Sequence, residues 1–173
     1  ITGATQGLGK EIAIKFVKEG ANVILCGRDE KKLDNIRYKL KSIKNRSQSI
    51  LTKVADVSLE KDIIKLIKFI FNNFNSCEIL INNAGIYGPK GKFDEIDIKQ
   101  WIKTIEINFV GSAMLCHYLI PYLKRQNYGK IIQLSGGGAT KPMPNISGYA
   151  ASKAAIVRLV ETLAQENTQY HID

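Results

Sequence analysis

Histidine and cysteine are scarce. The chain holds two histidines, His117 and His171, and three cysteines, Cys26, Cys77 and Cys116. None stands at a zinc-ligand spacing, so no metal site is predicted. Scattered thiols, odd in number, fit free cysteines in a reducing, cytoplasmic setting better than a disulfide framework. No apolar run is long enough to span a bilayer, and no secretory leader is visible. Acidic residues are outnumbered, 16 against 25 basic, which gives a net charge of +9. The lysines are spread over many helices, which reads as solvated faces. Even the densest basic run, Lys31 to Arg46, carries only Tyr38 as an aromatic and offers no stacking platform. Neither nucleic acid nor a membrane is an expected partner.

Apolar residues are plentiful, at 45% of 173 positions, enough for the core of one domain. The sequence opens inside what reads as a strand and stops straight after a helical run. Both ends of the domain 1–173 are therefore expected to be cut.

The opening Thr2-Gly3-Ala4-Thr5-Gln6-Gly7-Leu8-Gly9 is a glycine-rich turn between a strand end and a helix. That helix, about Leu8 to Glu19, is amphipathic, and Gly20 is placed to cap it. A helix N-terminus built from small residues can bring backbone N–H groups to a pyrophosphate, and the helix dipole favours the negative charge. An ordinary Gly-rich loop is the alternative; the amphipathic helix and strand that follow favour the phosphate cradle.

Asn22 to Cys26 reads as the second strand, apolar throughout, as a strand covered on both faces should be. Gly27 and Arg28 follow. A carboxylate at this strand end would bind ribose hydroxyls and repel a 2′-phosphate. Arg28 offers a guanidinium suited to a phosphate instead, which predicts NADP(H) in preference to NAD(H). The alternative is an arginine at a helix start, paired with Asp29 or Glu30.

A basic helix from about Asp29 to Lys44 leads to a third strand, Ser49 to Val54. Asp56 after it either accepts from an adenine amino group or caps the next helix, as Ser58 also could. That helix, about Leu59 to Phe74, carries core isoleucines at helical spacing. Glu78 to Asn82 is the fourth strand, followed by Asn82-Asn83-Ala84-Gly85 and a loop from Ile86 to Asp94 that borders the same end. A long helix is expected from about Asp97 to Lys124, with Pro121 weakening its last turns. Asn108 lies inside it between Ile107 and Phe109, where a polar amide must find a partner. Lys130 to Leu134 is the fifth strand. It runs into Ser135-Gly136-Gly137-Gly138, and a helix follows from Ser147 to about Tyr170.

Strand and helix thus alternate, which predicts an α/β fold: a doubly wound parallel sheet, or Rossmann fold, with right-handed crossovers. Ligands bind such sheets at the carboxyl ends of the strands. The glycine turn, Arg28, Asp56, Asn83 and Ser135 all fall there. Tyr149 and Lys153 stand four residues apart at the start of the last helix, one turn apart on one face. An ammonium there is expected to stabilise the phenolate and pull the tyrosine pKa below its usual value near 10. The pair could then act as a proton donor and acceptor. Alone, such a spacing is common by chance.

Together these stretches resemble the short-chain dehydrogenase/reductase family, in its classical branch. Thr2-Gly3-x-x-x-Gly7-x-Gly9 is similar to the family's cofactor motif, Asn82-Asn83-Ala84-Gly85 to its structural motif, and Tyr149-x-x-x-Lys153 to its active-site motif. The resemblance covers essentially the whole chain. It implies an NADP(H)-dependent oxidoreductase that acts on a small carbonyl or alcohol. Tyr149 would be its acid or base, and Lys153 would lower the tyrosine pKa and bind the nicotinamide ribose. Asn108 would hold a water in a proton relay. The cofactor would touch Gly3, Thr5, Gln6, Gly7, Leu8 and Gly9 in the turn, and Arg28, Asp56 and Val57 toward adenosine. It would meet Asn83, Ala84 and Gly85 beside Tyr149 and Lys153. The resemblance also implies further strands and a substrate-covering segment beyond Asp173. Pairing of subunits through the long helices would give a homodimer or homotetramer.

One position departs from the pattern. The family commonly has a catalytic serine thirteen residues before the tyrosine, and Gly136 stands there. Either the neighbouring Ser135 supplies the hydroxyl, or loop backbone N–H groups polarise the substrate carbonyl, or oxidoreductase activity is reduced or absent.

Overall fold

The protein is described over all its residues, 1–173, from a computed structural model. The apolar side chains of β1 (Val23–Gly27) alternate between two cores. Val23 and Leu25 join Ala13 and Val17 of α1 (Gly7–Lys18) and Leu33 and Ile36 of α2 (Glu30–Lys41). Cys26 joins Ile63 and Ile67 of α3 (Glu60–Asn73) on the opposite face, and Ile24 packs against that core. Successive strand residues point to opposite sides. A strand with helices over both faces must therefore be apolar at every position.

β1 pairs in parallel with β2 (Ile50–Val54), and β3 (Ile79–Asn82) pairs in parallel with β4 (Lys130–Gln133). Residues 1–4 stitch the two pairs together. Cys26 N donates to Ile1 O at 2.9 Å and Ala4 N to Cys26 O at 3.2 Å, while on the other side Thr2 N donates to Ile81 O at 3.0 Å. The order across the sheet is thus β2, β1, the segment 1–4, β3, β4. Ile172 bridges in parallel to Gly129 beyond β4. Strand order reverses between the segment 1–4 and β3, which is the switch point where such sheets bind ligands.

Four of the five expected strands form within about a residue of their sequence bounds, and residues 1–4 stand in for the first. The long helix expected over residues 97–124 is not continuous. It divides into α4 (Ile98–Ile105), a π-turn over Glu106–Val110, and α5 (Gly111–Gln126). The extra residue in a π-turn re-aims the helix, and such turns are typical of functional sites. Here the turn carries Asn108, fully buried. Just beyond it, a Cβ at Gly111 would lie 2.6 Å from Val57 O, so the helix touches the loop after β2. Pro121 does not shorten α5, which runs on to Gln126 and ends at Asn127 with φ 54°. α6 (Ser147–Asn167) ends before a short 3₁₀ turn, Thr168–Tyr170.

The stitch depends on one hydroxyl. Thr2 Oγ1 accepts from both Asn83 N and Ala84 N, each at 3.1 Å, and Thr2 is buried. Replacing Thr2 with Val keeps its shape and leaves two N–H groups without that acceptor. Thr2→Val is expected to lower stability by about 2 kcal/mol, read from the urea unfolding midpoint.

Candidate active site

A cleft of about 610 Å³ opens at the carboxyl ends of the strands. Its wall gathers most of the predicted residues: Gly3, Thr5, Gln6, Gly7 and Leu8 from the turn, then Arg28, Asp56 and Val57 after β1 and β2. Asn83, Ala84 and Gly85 follow from β3, Ser135 from β4, and Tyr149 and Lys153 from α6. Gly9 and Asn108 lie behind the wall. Gly136 to Gly138 do not line it either.

The glycines serve two different ends. A Cβ at Gly9 would collide with the Asn83 amide, and one at Gly3 would come within 2.9 Å of Ala84 Cα. These two glycines let the turn pack against the loop after β3. Asn83 Nδ2 donates to Thr2 O and Gly3 O, each at 3.0 Å, and locks that contact. Gly7 is different: it has φ 54° and open space where a side chain would be. Gln6 before it caps nothing with its side chain. The first N–H groups of α1 are therefore left for a ligand, at the positive end of the helix dipole.

Arg28 is exposed on the cleft and makes no ion pair. Its expected rival partner Asp29 is committed elsewhere, accepting from Lys32 N at 3.0 Å as the cap of α2. Asp56 does not cap α3. It closes its own turn, accepting from Ser58 N at 2.9 Å and Ser58 Oγ at 2.7 Å. Burial opposes its charge, but the two Ser58 bonds, with Arg28 and Lys103 nearby, hold its pKa below the usual carboxylate value.

Asn108 finds its partners across the fold. Its Oδ1 accepts from Ile86 N at 2.8 Å, and its Nδ2 donates to Ile86 O at 2.8 Å and to Ser152 Oγ at 3.1 Å. Ser152 Oγ in turn donates to Tyr149 O at 2.7 Å. The buried amide therefore clamps the loop after β3 to the first turns of α6.

Lys153 is 5% exposed, and its Nζ donates to Leu134 O at 2.6 Å. Burial pushes its pKa below the ordinary lysine value. Its ammonium lies 5.6 Å from the centroid of the Tyr149 ring. The expected fall in the tyrosine pKa is not seen. Burial, then the nearby Tyr87 phenol, raise it above the ordinary phenol value. The Lys153 ammonium gives its hydrogen bond to the Leu134 carbonyl and none to the phenol.

Tyr149 and the glycine loop are in direct contact. A Cβ at Gly136 would collide with the Tyr149 hydroxyl, and one at Gly138 with Ala150. The glycines after Ser135 let the loop lie flat on α6. Ser135 Oγ donates to Lys153 O through a long bond of 3.5 Å. Sequence reasoning missed Tyr87. It lines the cleft, and its ring centroid lies 4.8 Å from that of Tyr149. Its only sequence signal is a place two residues past the small-residue stretch Asn83-Ala84-Gly85.

A family model described as short chain dehydrogenase matches residues 1–173. The chain belongs to the short-chain dehydrogenase/reductase family. Among curated relatives of this family, 11-beta-hydroxysteroid dehydrogenase A of Sesamum indicum is 35% identical over 166 residues, covering 96% of this chain and 47% of the relative. Glucose 1-dehydrogenase of Gluconobacter oxydans is 34% identical over 167 residues, covering 96% of this chain and 62% of the relative. The chain thus spans about half the length of the first of these. Among solved short-chain dehydrogenase structures, a metagenomic short-chain oxidoreductase in complex with NADP superposes with a TM-score of 0.93 at 26% identity. That match covers 99% of this chain and 76% of the other. NAD+-bound xylitol dehydrogenase gives a TM-score of 0.94 at 25% identity, with 99% and 65% covered. These two solved structures share the doubly wound fold seen here.

In this short-chain dehydrogenase scaffold the Asn108 clamp should be separable from the cleft wall. Asn108→Leu fills the space and leaves Ile86 N and Ile86 O unpaired. A loss of about 2–4 kcal/mol is expected in chemical unfolding, with hydrogen exchange at Ile86 rising first.

Proposed function

We propose that the protein is an NADP(H)-dependent oxidoreductase acting on a small carbonyl compound or secondary alcohol. The observation that carries this reading is the meeting of Tyr149 and Lys153 with the uncapped N-terminus of α1 on one cleft. The free first-turn N–H groups and the open space at Gly7 suit a pyrophosphate. A bound nicotinamide dinucleotide supplies the hydride in reduction and accepts it in oxidation.

The chain's own groups do the rest. Tyr149 gives its proton to the substrate oxygen in reduction and takes one back in oxidation. Lys153 holds the nicotinamide ribose and carries positive charge beside the phenol. Asn108 holds Ile86 and, through Ser152, the Tyr149 turn; a water relay from this region to Lys153 completes proton supply. Arg28 holds a 2′-phosphate, and Asp56 meets the adenine with the oxygen Ser58 leaves free. In the loop after β4, Ser135 is the one residue that brings a hydroxyl to the cleft wall. No helix is long and apolar enough to cross a membrane. Three free thiols suit a reducing, cytoplasmic setting. Ile98 and Ile102, 51% and 47% exposed on α4, and Val110 after it support pairing of subunits as a homodimer or homotetramer.

A second reading is motivated by Gly136, where no hydroxyl is available. It makes the protein a cofactor binder with weak turnover. NADPH would then raise the melting temperature while a ketone panel causes no NADPH consumption.

Tyr149→Phe should lower ketone reduction by roughly a hundred- to ten-thousandfold while NADPH still protects against thermal unfolding. Arg28→Ala should weaken NADPH binding by about tenfold or more and leave NADH binding unchanged, read by fluorescence titration. The pH profile follows from the raised Tyr149 pKa. A phenol held above its ordinary value keeps its proton through neutrality. Reduction should be flat there and fall only in the alkaline range, while oxidation should climb as pH rises.

A further inference from the structure

A substrate carbonyl that receives a hydride becomes an alkoxide, and a preorganised pair of donors stabilises that charge better than one. Tyr149 supplies one donor. The second is not provided by the glycine loop. Gly136 has no side chain and is covered by the Tyr149 hydroxyl, Gly138 is pressed against Ala150, and neither lines the cleft. Ser135 Oγ is turned toward Lys153 O, over a long 3.5 Å, and would have to turn from it to meet the substrate oxygen.

Tyr87 needs no such change. It is 59% exposed, it lines the cleft, and its hydroxyl has no hydrogen-bond partner in the protein. Its ring lies 4.8 Å from that of Tyr149, tilted by 36°. Its backbone is fixed from both sides. Ile86 before it is held at N–H and C=O by the buried Asn108 amide. Gly88 after it has φ 75° and sits so close to buried Thr104 that a side chain would collide. Gly91 N then donates to Asn145 O at 3.0 Å, tying this loop to the one after β4. Lys90 lies over the outer face of the same ring, 5.7 Å from its centroid. An exposed aromatic is commonplace. An exposed phenol on a loop clamped by a buried amide, its ring packed 4.8 Å from a second phenol on the wall of one cleft, is a built feature.

We propose that Tyr87 is the second hydrogen-bond donor to the substrate oxygen, in the role that Gly136 cannot fill. The role rests on the hydride chemistry proposed above. In reduction the carbonyl carbon gains the hydride and the C=O π bond breaks. The oxygen takes the Tyr149 proton, leaving a phenolate that is reprotonated from solvent. Tyr87 only lends its O–H and keeps its proton.

The test compares Tyr87→Phe, Ser135→Ala and Tyr149→Phe in the full-length protein. The probes are NADPH and a panel of aliphatic, cyclic and aromatic ketones, with NADPH affinity and melting temperature measured alongside. Tyr87→Phe keeps the ring and removes only the hydroxyl. It should lower kcat/KM by about a hundredfold, and by more than Ser135→Ala does, with NADPH affinity and melting temperature unchanged. A loss under about tenfold, or one matched by weaker NADPH binding, overturns the role. If Tyr149→Phe is inactive while Tyr87→Phe is not, only the role of Tyr87 falls. If Tyr149→Phe keeps full activity, or the unsubstituted protein reduces no ketone, the proposed chemistry falls and takes Tyr87 with it.

Discussion

The architecture of the site depends on one buried amide. Asn108 has no exposure, and in a π-turn it makes three side-chain hydrogen bonds to parts of the chain far away in sequence. Two of them fix Ile86, and so aim the loop that carries Tyr87. The third fixes Ser152, which holds the first turn of α6 and with it Tyr149. A buried amide left unpaired would cost about 1–3 kcal/mol per group, so the three bonds act as a single geometric requirement. The π-turn is the means by which a helix directs that side chain across to the strand ends.

A second set of ties does the same work at the glycine-turn end of the cleft. Thr2 and Asn83 join the glycine turn to the loop after β3 through hydroxyl and amide bonds. Gly3 and Gly9 allow the approach. The result is a helix N-terminus with free donors, held a fixed distance from the α6 pair. Electrostatics along the cleft follow the same direction: an unpaired Arg28 at one end, a buried Lys153 at the other, and beside it the Tyr149 phenol with its pKa raised.

Much of this could be read from residue order. The alternation of strands and amphipathic helices was enough for the doubly wound sheet, most plainly at β1, where a strand covered on both faces has no polar positions to confuse the pattern. The turn from Thr2 to Gly9 and the Tyr149–Lys153 spacing are local, and local patterns survive in sequence. What did not show is long-range. The π-turn adds one residue to an otherwise helical period, too small a change to see among apolar neighbours. The purpose of Gly9 and Gly138 lies in what they touch, Asn83 and Ala150, which are distant in sequence. Tyr87 is one aromatic in an irregular loop, and its position is set through Ile86 by an amide 22 residues beyond Ile86. The rise in the Tyr149 pKa comes from burial and from the nearby Tyr87, which the Tyr149–Lys153 spacing alone does not show.

All of these ties bring Tyr149 and Lys153 to one cleft, where the proposed reaction joins a nicotinamide and a carbonyl. The most direct measurement follows the hydride itself. NADPH carrying deuterium on one face of the nicotinamide C4 is incubated with the protein and a ketone it consumes, and the product alcohol is analysed by mass spectrometry. A single deuterium on the carbinol carbon, from one of the two labelled faces only, is the expected result. Product without deuterium, or label arriving equally from both faces, would contradict a carbonyl held in fixed register between the cofactor and Tyr149.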